Sequence, residues 1–461
     1  MSFAKYPAYK DSGVAWLGEV PGHWEVVPLK QVISRIESGT SVNAIDTPAS
    51  HDELGVLKTS CVYHGSFDAA ENKAVIPEEY DRVTCPVTEG ALIVSRMNTP
   101  DLVGAAGVVH TSYENLFLPD RLWQVHFDGA YPTFVHYWTR TPAYRAQVEM
   151  ACAGTSSSMQ NLGQDEFRRF VISRPPKAEQ TAIATFLDHE TAKIDALVAE
   201  QEKLIALLQE KRQAVISHAV TKGLNPHAPM KDSGVAWLGE VPGHWEVRAL
   251  RRVIGTIEQG WSPECDAREA DEQEWGVLKA GCLNGGLYRP SENKALPPEL
   301  TPQDCYEVRV GDVLMSRASG SPELVGSTAL VTATRARLML SDKIFRLQLQ
   351  DAVDARFFVA ALNSRPLRVQ IENALSGGNG MANNLPQSSL LTFVMPVPPL
   401  AEQTVIATFL DHETAKLDTL VTQARTAITL LQERRTALIS AAVTGQIDVR
   451  GWVDAAQHQN Q

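Results

Sequence analysis

Two stretches of the sequence place their seam residues at alternating intervals of three and four, which is the spacing of a coiled coil. Most seam positions are apolar, and polar residues interrupt them at matching places, which lowers stability but helps to fix register and orientation. The seam positions are Ile183, Leu187, Glu190, Ile194, Leu197, Gln201, Leu204, Leu208, Lys211, Val215 and His218 in the first stretch, and Ile406, Leu410, Glu413, Leu417, Leu420, Ala424, Ala427, Leu431, Arg434, Leu438 and Ala441 in the second.

Local signals mark both ends of each stretch. Pro175-Pro176 and Pro398-Pro399 precede the two stretches, where proline sets the entry to a helix, and Gly223 and Gly445 follow as stop signals. About 40 helical residues would span roughly 60 Å. If the first helix carries the chain away from one domain and the second returns from another, the two helices run antiparallel. We therefore predict an antiparallel coiled coil with a pseudo-twofold axis.

The regions between these helices show short apolar runs separated by Gly, Pro, Asn and Asp turns, a pattern that predicts strands. Helical stretches are predicted near Thr133 to Val148 and Ala355 to Leu375. The clearest strand candidates are Gly90 to Val94, Leu122 to Phe127, Asp312 to Met315 and Ile344 to Leu349. The predicted fold class is therefore α+β, with two tandem mixed α/β domains joined by two long helices.

The two domains arise from an internal duplication. The phrase KDSGVAWLGEVPGHWEV occupies Lys10 to Val26 and returns unchanged from Lys231 to Val247. Further matches keep an offset between 221 and 223, and 17 of 20 positions agree between the segments that begin at Glu179 and Glu402. Near-identical segments bound each half, and the middles differ. The chain is a tandem repeat whose interiors have diverged.

Composition limits the function classes. With 461 residues, 44% hydrophobic and 21% charged, the chain has the size and balance of a multidomain globular protein. No apolar run suggests a membrane span or a signal peptide, so a cytoplasmic location is expected. The six cysteines form no CxxC pair, which argues against a zinc ribbon. The net charge of -12 means that a nucleic-acid surface would have to be local or shared with a partner.

The repeated segments of this chain resemble those of the specificity subunit of type I restriction-modification enzymes. The shared motifs are the opening KDSG and WLGEVPxHWE, the GVLK strand, Gly311 to Arg317, the PPxxEQ junctions at Pro175 to Gln180 and Pro398 to Gln403, and the FLDHETAKID helix starts. The resemblance covers essentially the whole chain. It implies two target-recognition domains, each reading one half of a split site in double-stranded DNA, and helices that fix the spacing and dock two modification subunits.

The resemblance also assigns the chemistry to partners. Adenine methylation with S-adenosylmethionine and cleavage with ATP and magnesium belong to other subunits, so no cofactor and no metal are expected in this chain. Restriction subunits are the further candidate partners, and no membrane is expected. The implied division is a leading segment (1–26), recognition domain 1 (27–175), a helical spacer (176–223), the repeated leading segment (224–247), recognition domain 2 (248–397), and a helical spacer with a tail (398–461).

The duplication supports the same conclusion without the resemblance. Two related domains on a twofold-related support match the dyad of duplex DNA, so each domain can face one half-site. A rod of roughly 60 Å corresponds to about 18 base pairs, the upper scale for their separation. A protein that recognises two different half-sites needs similar flanking segments, which support the two domains in the same way, and different domain interiors.

Candidate DNA-binding residues lie in two polar loops and at repeat-equivalent basic positions. Each loop lies between a domain helix and a PPxxEQ junction, and its Gly, Ser, Gln and Asn residues suit contact with base edges or phosphates; a solvated connector is the alternative. The two arginines after strands could bind phosphate or guanine, or form structural ion pairs. The candidates are Thr155, Ser156, Ser157, Ser158, Gln160, Asn161, Asn379, Asn383 and Asn384 in the loops, Arg96 and Arg317 after strands, and Lys58, Lys279, Arg121 and Lys343 as isolated basic residues.

Other conspicuous residues favour structural roles. Asp188-His-Glu190 and Asp411-His-Glu413 look like ligand clusters, but successive helix positions point in different directions, which favours helix surface. The tryptophans beside the Pro-Gly turns (Trp16, Trp24, Trp237 and Trp245) favour packing over base stacking. No phosphate loop of the GxxxxGK[ST] type and no methyltransferase or nuclease motif occurs, so we predict no catalytic centre. The competing hypothesis is a duplicated coiled-coil adaptor that binds proteins and no DNA.

Overall fold

The computed structural model describes residues 3–152, 158–375 and 383–452. The chain divides into unit 1, which comprises Met1–Gln201 and Thr426–Gln461, and unit 2, which comprises Glu202–Arg425. Each of two long helices therefore contributes one part to unit 1 and the other part to unit 2. Within the described ranges, no helix combines the length and apolarity that a membrane crossing requires.

Unit 1 contains two four-stranded sheets and three short helices. One sheet has the strand order β10-β8-β12-β4 and is antiparallel, and the other has the order β11-β6-β7-β5. The strands are β1 (Tyr9–Asp11), β2 (Glu19–Pro21), β3 (Glu25–Pro28), β4 (Ile33–Ser38), β5 (Ala44–Ile45), β6 (Gly55–Leu57), β7 (Asn72–Val75), β8 (Leu92–Ser95), β9 (Met97–Asn98), β10 (Ala106–Val108), β11 (Leu116–Phe117), β12 (Leu122–Phe127), β13 (Gln160–Asn161) and β14 (Val171–Arg174). The helices are α1 (Pro132–Thr139), α2 (Pro142–Cys152), α3 (Gln164–Arg169) and the long α4 (Lys177–Lys222).

Unit 2 repeats this arrangement. Its larger sheet has the order β18-β25-β21-β23, and its smaller one the order β20-β19-β24. The strands are β15 (Met230–Asp232), β16 (Glu240–Pro242), β17 (Glu246–Ala249), β18 (Ile254–Gln259), β19 (Gly276–Leu278), β20 (Asn293–Ala295), β21 (Val313–Ser316), β22 (Ala318–Ser319), β23 (Thr328–Leu330), β24 (Leu338–Met339), β25 (Ile344–Leu349), β26 (Asn383–Asn384) and β27 (Val394–Val397). The helices are α5 (Ala355–Leu362), α6 (Arg365–Ala374), α7 (Gln387–Leu390) and the long α8 (Leu400–Val443).

The central strand β8 begins with an unbroken apolar run because both faces of its sheet are covered. On β8, Leu92 and Val94 belong to the core beneath the helices, while Ile93 between them belongs to the core shared with the smaller sheet. This alternation follows from the two-residue period of a strand. The strands predicted at Leu122–Phe127 and Ile344–Leu349 have those bounds in the structure, and the other two differ by one or two residues.

Each domain helix predicted as one segment is two helices in the structure. The stretch near Thr133 to Val148 is divided between α1 and α2, and the stretch from Ala355 to Leu375 between α5 and α6. Both second helices carry proline in their first two residues, at Pro142 and Pro366. Proline fits the first turn of a helix but not its interior, so each proline marks the start of a new helix. The prediction used the apolar spacing alone and therefore treated each pair of helices as one.

The repeated opening phrase packs where one long helix begins and the other ends. In unit 1, the buried indole of Trp24 donates to Glu179 at the start of α4 (3.1 Å) and lies against Gly445 after the end of α8. In unit 2, the buried Trp245 lies against Gly223 after the end of α4. Both glycines have positive φ (76° and 75°), and a Cβ on Gly445 would clash with the ring of Pro21.

The PPxxEQ junctions attach each domain to its long helix. The Gln180 side chain accepts from the Tyr131 amide (2.7 Å) and donates to the Pro175 carbonyl (2.8 Å). Gln403 does the same with the Asp354 amide (2.9 Å) and the Pro398 carbonyl (2.8 Å). Both glutamines are buried, so their amides satisfy backbone groups that would otherwise lie unpaired at the start of a domain helix.

Within each unit, the parts of the long helices that it contains pack antiparallel. In unit 1, the start of α4 shares a core with the end of α8, and Asp195 accepts from Arg435 at 3.1 Å. In unit 2, the end of α4 shares a core with the start of α8, and the equivalent pair is Arg212 and Asp418 at 3.4 Å. These contacts confirm the predicted antiparallel orientation.

The seam predicted for the first stretch is wrong at four positions, where the side chains are exposed: Leu197, Leu204, Lys211 and His218. Leu187, Ile194 and Leu208 are buried as predicted, but Leu197 and Leu204 are 45% and 42% exposed. The inward positions are instead shifted by one residue, to Thr191, Val198, Ile205, Arg212 and Ala219, and α8 shows the same shift, with Leu420 46% exposed and Val421 half-buried. Adjacent apolar residues, such as Leu197 and Val198, fit either phase of the period, so spacing alone could not choose between them.

Candidate nucleic-acid interface

The first polar loop ends beside Arg96. Strand β13 pairs antiparallel with β9, so that Gln160 faces Asn98 and Asn161 faces Met97. The Leu162 amide then donates to the Arg96 carbonyl at 2.8 Å. This pairing places Gln160 and Asn161 against the two residues that directly follow Arg96.

The second polar loop ends in the same way in unit 2. Strand β26 pairs antiparallel with β22, so that Asn384 faces Ala318 and Asn383 faces Ser319. The Leu385 amide donates to the Arg317 carbonyl at 2.9 Å. Of the remaining predicted loop residues, Ser158 is exposed, and Thr155, Ser156, Ser157 and Asn379 lie outside the described residues.

Backbone hydrogen bonds add a further basic residue to each group. The Arg96 amide donates to the Arg121 carbonyl at 3.0 Å, and the Arg317 amide donates to the Lys343 carbonyl at 2.8 Å. The side chains of Arg121 and Lys343 are exposed. Residues that are distant in sequence, namely the loop amides, the arginine after the strand and a second cation, therefore meet at one place in each unit.

The two central arginines rest on aromatic rings. The Arg96 guanidinium lies 6.0 Å from the ring centre of Trp123, and that of Arg317 lies 5.7 Å from the ring centre of Phe345. Within residues 3–152, 158–375 and 383–452, neither arginine forms a salt bridge, and the buried Nε of Arg96 has no hydrogen-bond partner. The structural ion pair considered above is therefore absent from the described residues, and both arginines are half-buried.

A concave groove lies next to each of these groups. The first-domain groove, of about 530 Å³, is lined by Lys58, Lys73 and Arg121 together with Asp46 and Asp120. The second-domain groove, of about 410 Å³, is lined by Lys279, Lys294 and Lys343. All four isolated basic residues predicted from the sequence therefore line one of the two grooves. Each groove also contains one lysine that was not predicted, Lys73 in the first and Lys294 in the second.

Both missed lysines carried a sequence signal. They occupy the third position of the repeated Glu-Asn-Lys-Ala segments that begin at Glu71 and Glu292. Pairing of β6 with β7 sets Lys73 opposite Val56, and pairing of β19 with β20 sets Lys294 opposite Val277. The repeat alone indicated equivalence, but the strand register is what brings these lysines to the grooves.

Comparisons with known proteins agree on one family. No protein-family model matches the chain. The specificity subunit of the type I restriction enzyme EcoEI from Escherichia coli is 32% identical over 212 residues, covering 45% of this chain and 35% of that protein. The specificity subunit of the type I restriction enzyme EcoKI from Escherichia coli strain K12 is 22% identical over 449 residues, covering 93% of this chain and 90% of that protein. The chain is similar to the specificity subunits of type I restriction enzymes.

Solved structures share the fold of this chain. A chain from a structure of a type I R-M system matches with a TM-score of 0.66 at 15% identity, covering 92% of this chain and 98% of the other. The HsdS subunit from Thermoanaerobacter tengcongensis matches with a TM-score of 0.51 at 16% identity, covering 93% and 98%. At these identities the likeness extends to the fold, and the side chains of the two grooves are features of this chain.

The acidic clusters of the two long helices have structural partners. Asp188 accepts from the Tyr137 hydroxyl (2.7 Å), and Asp411 pairs with Arg356 (3.1 Å). Glu190 and Glu413 pair with lysines three residues later on the same helix. Among the described residues, no group of three or more His, Cys, Asp or Glu side chains could hold a metal ion. These contacts agree with the helix-surface interpretation.

The four tryptophans of the repeated phrase divide into two classes. Trp24 and Trp245 are fully buried, as the packing interpretation predicts. Trp16 is 45% exposed and Trp237 is half-buried, so for this pair the packing prediction is only partly right. They lie at the tips of the β1–β2 and β15–β16 hairpins, where fewer neighbours surround a side chain.

Proposed function

We propose that this chain is a specificity subunit that selects a bipartite sequence in double-stranded DNA, with one domain reading each half, and that it holds two methyltransferase subunits. The observation that supports this is the recurrence, at equivalent places in both units, of a polar loop end, an arginine and a basic groove. Amide side chains and guanidinium groups are the donors and acceptors that read base edges, and lysines contact phosphates.

The residues at the equivalent places differ, which suits two unlike half-sites. The first domain presents Gln160 and Asn161 beside Arg96, and the second presents Asn383 and Asn384 beside Arg317. Gln and Asn pair with adenine, and arginine with guanine, when docking geometry allows both hydrogen bonds. Each domain therefore has the groups for base recognition, and the different side chains provide different preferences.

The catalytic work is proposed to belong to partner subunits. Methylation would use S-adenosylmethionine, and cleavage would use ATP and magnesium, in proteins other than this one. Exposed leucines on both long helices offer apolar surface that the docking of such partners would cover. They are Leu197, Leu204, Leu207, Leu420 and Leu430, which are 42–59% exposed.

The direct test is selection from a random duplex library with the subunit assembled with its methyltransferase partner. We expect recovery of two short conserved elements separated by a fixed unread interval. Recovery of unrelated sequences, or binding that does not weaken steeply with salt, would favour the protein-only adaptor, because contacts with phosphates must be salt-dependent.

Paired arginine variants assign the half-sites. In Arg96→Gln, we expect the base preference within the first element to weaken and that within the second to remain unchanged. In Arg317→Gln we expect the reverse. Loss of a bidentate contact with a base costs about 1–3 kcal/mol, which is roughly 5- to 150-fold in affinity for the affected element. Each variant is the control for the other. An equal loss at both elements would contradict the assignment of one domain to one element.

The long helices are proposed to set the interval between the elements. Both α4 and α8 are continuous through the boundary between the units, at Gln201–Glu202 and Arg425–Thr426. Inserting one heptad into both helices adds about 10 Å of helix, which corresponds to about three base pairs. We expect the selected interval to lengthen or the complex to fail to assemble. An intact complex with an unchanged interval would refute this role.

A further inference from the structure

The two grooves carry equal numbers of cations but unequal numbers of carboxylates. Asp46 and Asp120 line the first-domain groove beside its three cations, which leaves a formal charge of +1. The second-domain groove is lined by three lysines, and Asp342, the equivalent of Asp120, accepts from the lining residue Ser262, so this groove has one carboxylate fewer than the first. An electrostatic difference of this size affects how strongly each groove attracts an anion.

Strand register identifies the position that makes much of this difference. Ile45 faces Ala74 on β7, and at the equivalent place in unit 2 Asp266 bridges to Ala295. The next residue in each chain segment is therefore equivalent, and it is Asp46 in unit 1 but Ala267 in unit 2. Both are exposed, so neither is required by the packing of its unit.

Asp46 engages two of the three cations of its groove. Its Oδ1 lies 3.3 Å from the Nζ of Lys58 and 3.3 Å from the Nζ of Lys73. Hydrogen bonds from these two lysines, Lys73 first, lower the pKa of Asp46, so the carboxylate is charged at neutral pH. A phosphate entering this groove would have to displace or approach that carboxylate.

The cations of the second-domain groove are less neutralised. Lys279 lies 3.7 Å from Glu292, whereas Lys294 and Lys343 have no salt bridge within the described parts of the chain. The nearby Asp266 lies 3.9 Å from Arg268, outside the groove lining. Both unpaired lysines are exposed and can therefore neutralise phosphates, which releases counterions condensed on the DNA.

We propose that both grooves bind backbone phosphates of DNA and that the second-domain groove is the stronger site, because Asp46 occupies the lysines of the first. This proposal rests on the proposed function and adds that the two domains contribute differently to DNA binding. The second domain supplies more of the sequence-independent attraction, and the first domain depends more on its contacts with bases.

Reciprocal substitutions test the difference. Asp46→Ala makes the first groove resemble the second, and Ala267→Asp does the opposite. The probe is a fluorescent 40-base-pair duplex of mixed sequence, bound by the full chain assembled with its methyltransferase subunits, and the dissociation constant is measured at 50 and 200 mM salt. Each phosphate that the protein neutralises multiplies the ratio of these two constants by about 3.5. We expect the ratio to rise in Asp46→Ala and to fall in Ala267→Asp.

A second pair of variants and a control keep the result specific. Lys294→Ala should lower the ratio by the effect of about one neutralised phosphate, roughly 3.5-fold, and Lys73→Ala by clearly less. Asp52→Ala removes the same charge as Asp46→Ala from an exposed residue of unit 1 that does not line the groove, and it should leave the ratio unchanged. Thermal melts verify that each variant is folded.

Two outcomes overturn the proposal and can be told apart. If the wild-type complex binds the duplex with steep salt dependence but Asp46→Ala matches Asp52→Ala, or Lys73→Ala matches Lys294→Ala, the grooves do not differ and DNA recognition stands. If the wild-type complex binds no duplex at 50 mM salt, the proposed function fails, and the proposal about the grooves fails with it.

Discussion

Trp24→Ala is expected to lower the free energy of unfolding of unit 1 by about 3–5 kcal/mol, the usual cost of truncating a buried tryptophan. The indole is fully buried, donates to Glu179 and packs against Gly445, so it joins the start of α4 to the end of α8. The loss would leave a cavity and a buried carboxylate oxygen with one donor fewer. Urea unfolding followed by circular dichroism measures the change.

The same phrase offers a matched control. Trp16 lies eight residues earlier and is 45% exposed, so Trp16→Ala should change the free energy of unfolding by less than about 0.5 kcal/mol. Trp245→Ala should destabilise unit 2 in the same manner as Trp24→Ala destabilises unit 1. Equal effects of Trp24→Ala and Trp16→Ala would mean that the repeated phrase does not join the long helices.

Acidification below pH 6.5 is expected to destabilise unit 1 through His136. Burial, with smaller contributions from Arg140, His110 and Arg435, lowers the pKa of His136 from 6.5 to about 4, although its hydrogen bond with the Gly65 carbonyl (2.9 Å) opposes this. Above pH 6.5 the imidazole is neutral in the folded and the unfolded chain. Between pH 6.5 and 4 the unfolded chain binds the proton and the folded chain does not, so stability falls as the pH falls. The difference between the two pKa values corresponds to about 3 kcal/mol.

The duplication supplies the control for this prediction. The position of α5 equivalent to His136 is Val359, so His136→Val gives unit 1 the residue of unit 2. We expect the variant to lose less stability than the wild type between pH 7 and 4.5, with carboxylates contributing equally to both. Urea unfolding at a series of pH values measures the difference. Parallel pH profiles of the two proteins would show that His136 is not the responsible group.

The sequence predicted the elements well wherever one local signal decided them. The bounds of β12 and β25 follow from short apolar runs between turn residues, and the ends of the long helices follow from Gly223 and Gly445. The sequence-based prediction failed where the local pattern fitted two interpretations equally well. The seam of α4 could pass through Leu197 or Val198, and only the packed neighbours place Val198 inward.

The candidate site was predicted in parts. Arg96, Gln160 and Asn161 were identified from composition and position, but their proximity depends on the pairing of β13 with β9. Lys73 and Asp46 were not identified, because the repeat marks Lys73 only as the equivalent of Lys294 and no local pattern marks the role of Asp46. Their significance appears once the fold sets the Nζ atoms of Lys58 and Lys73 each 3.3 Å from Asp46.

The sequence by itself determined the duplication, the two long helices, the likeness to a family and the residue types present at the candidate site. These properties follow from the internal repeat and from the spacing of residues over short stretches, and both can be recognised without knowing the tertiary contacts. The tertiary structure alone decided which face of each helix is buried, which lysines share a groove and which of them a carboxylate neutralises. Such properties depend on strand register and on side chains far apart in the chain, and a one-residue shift in either would change them all.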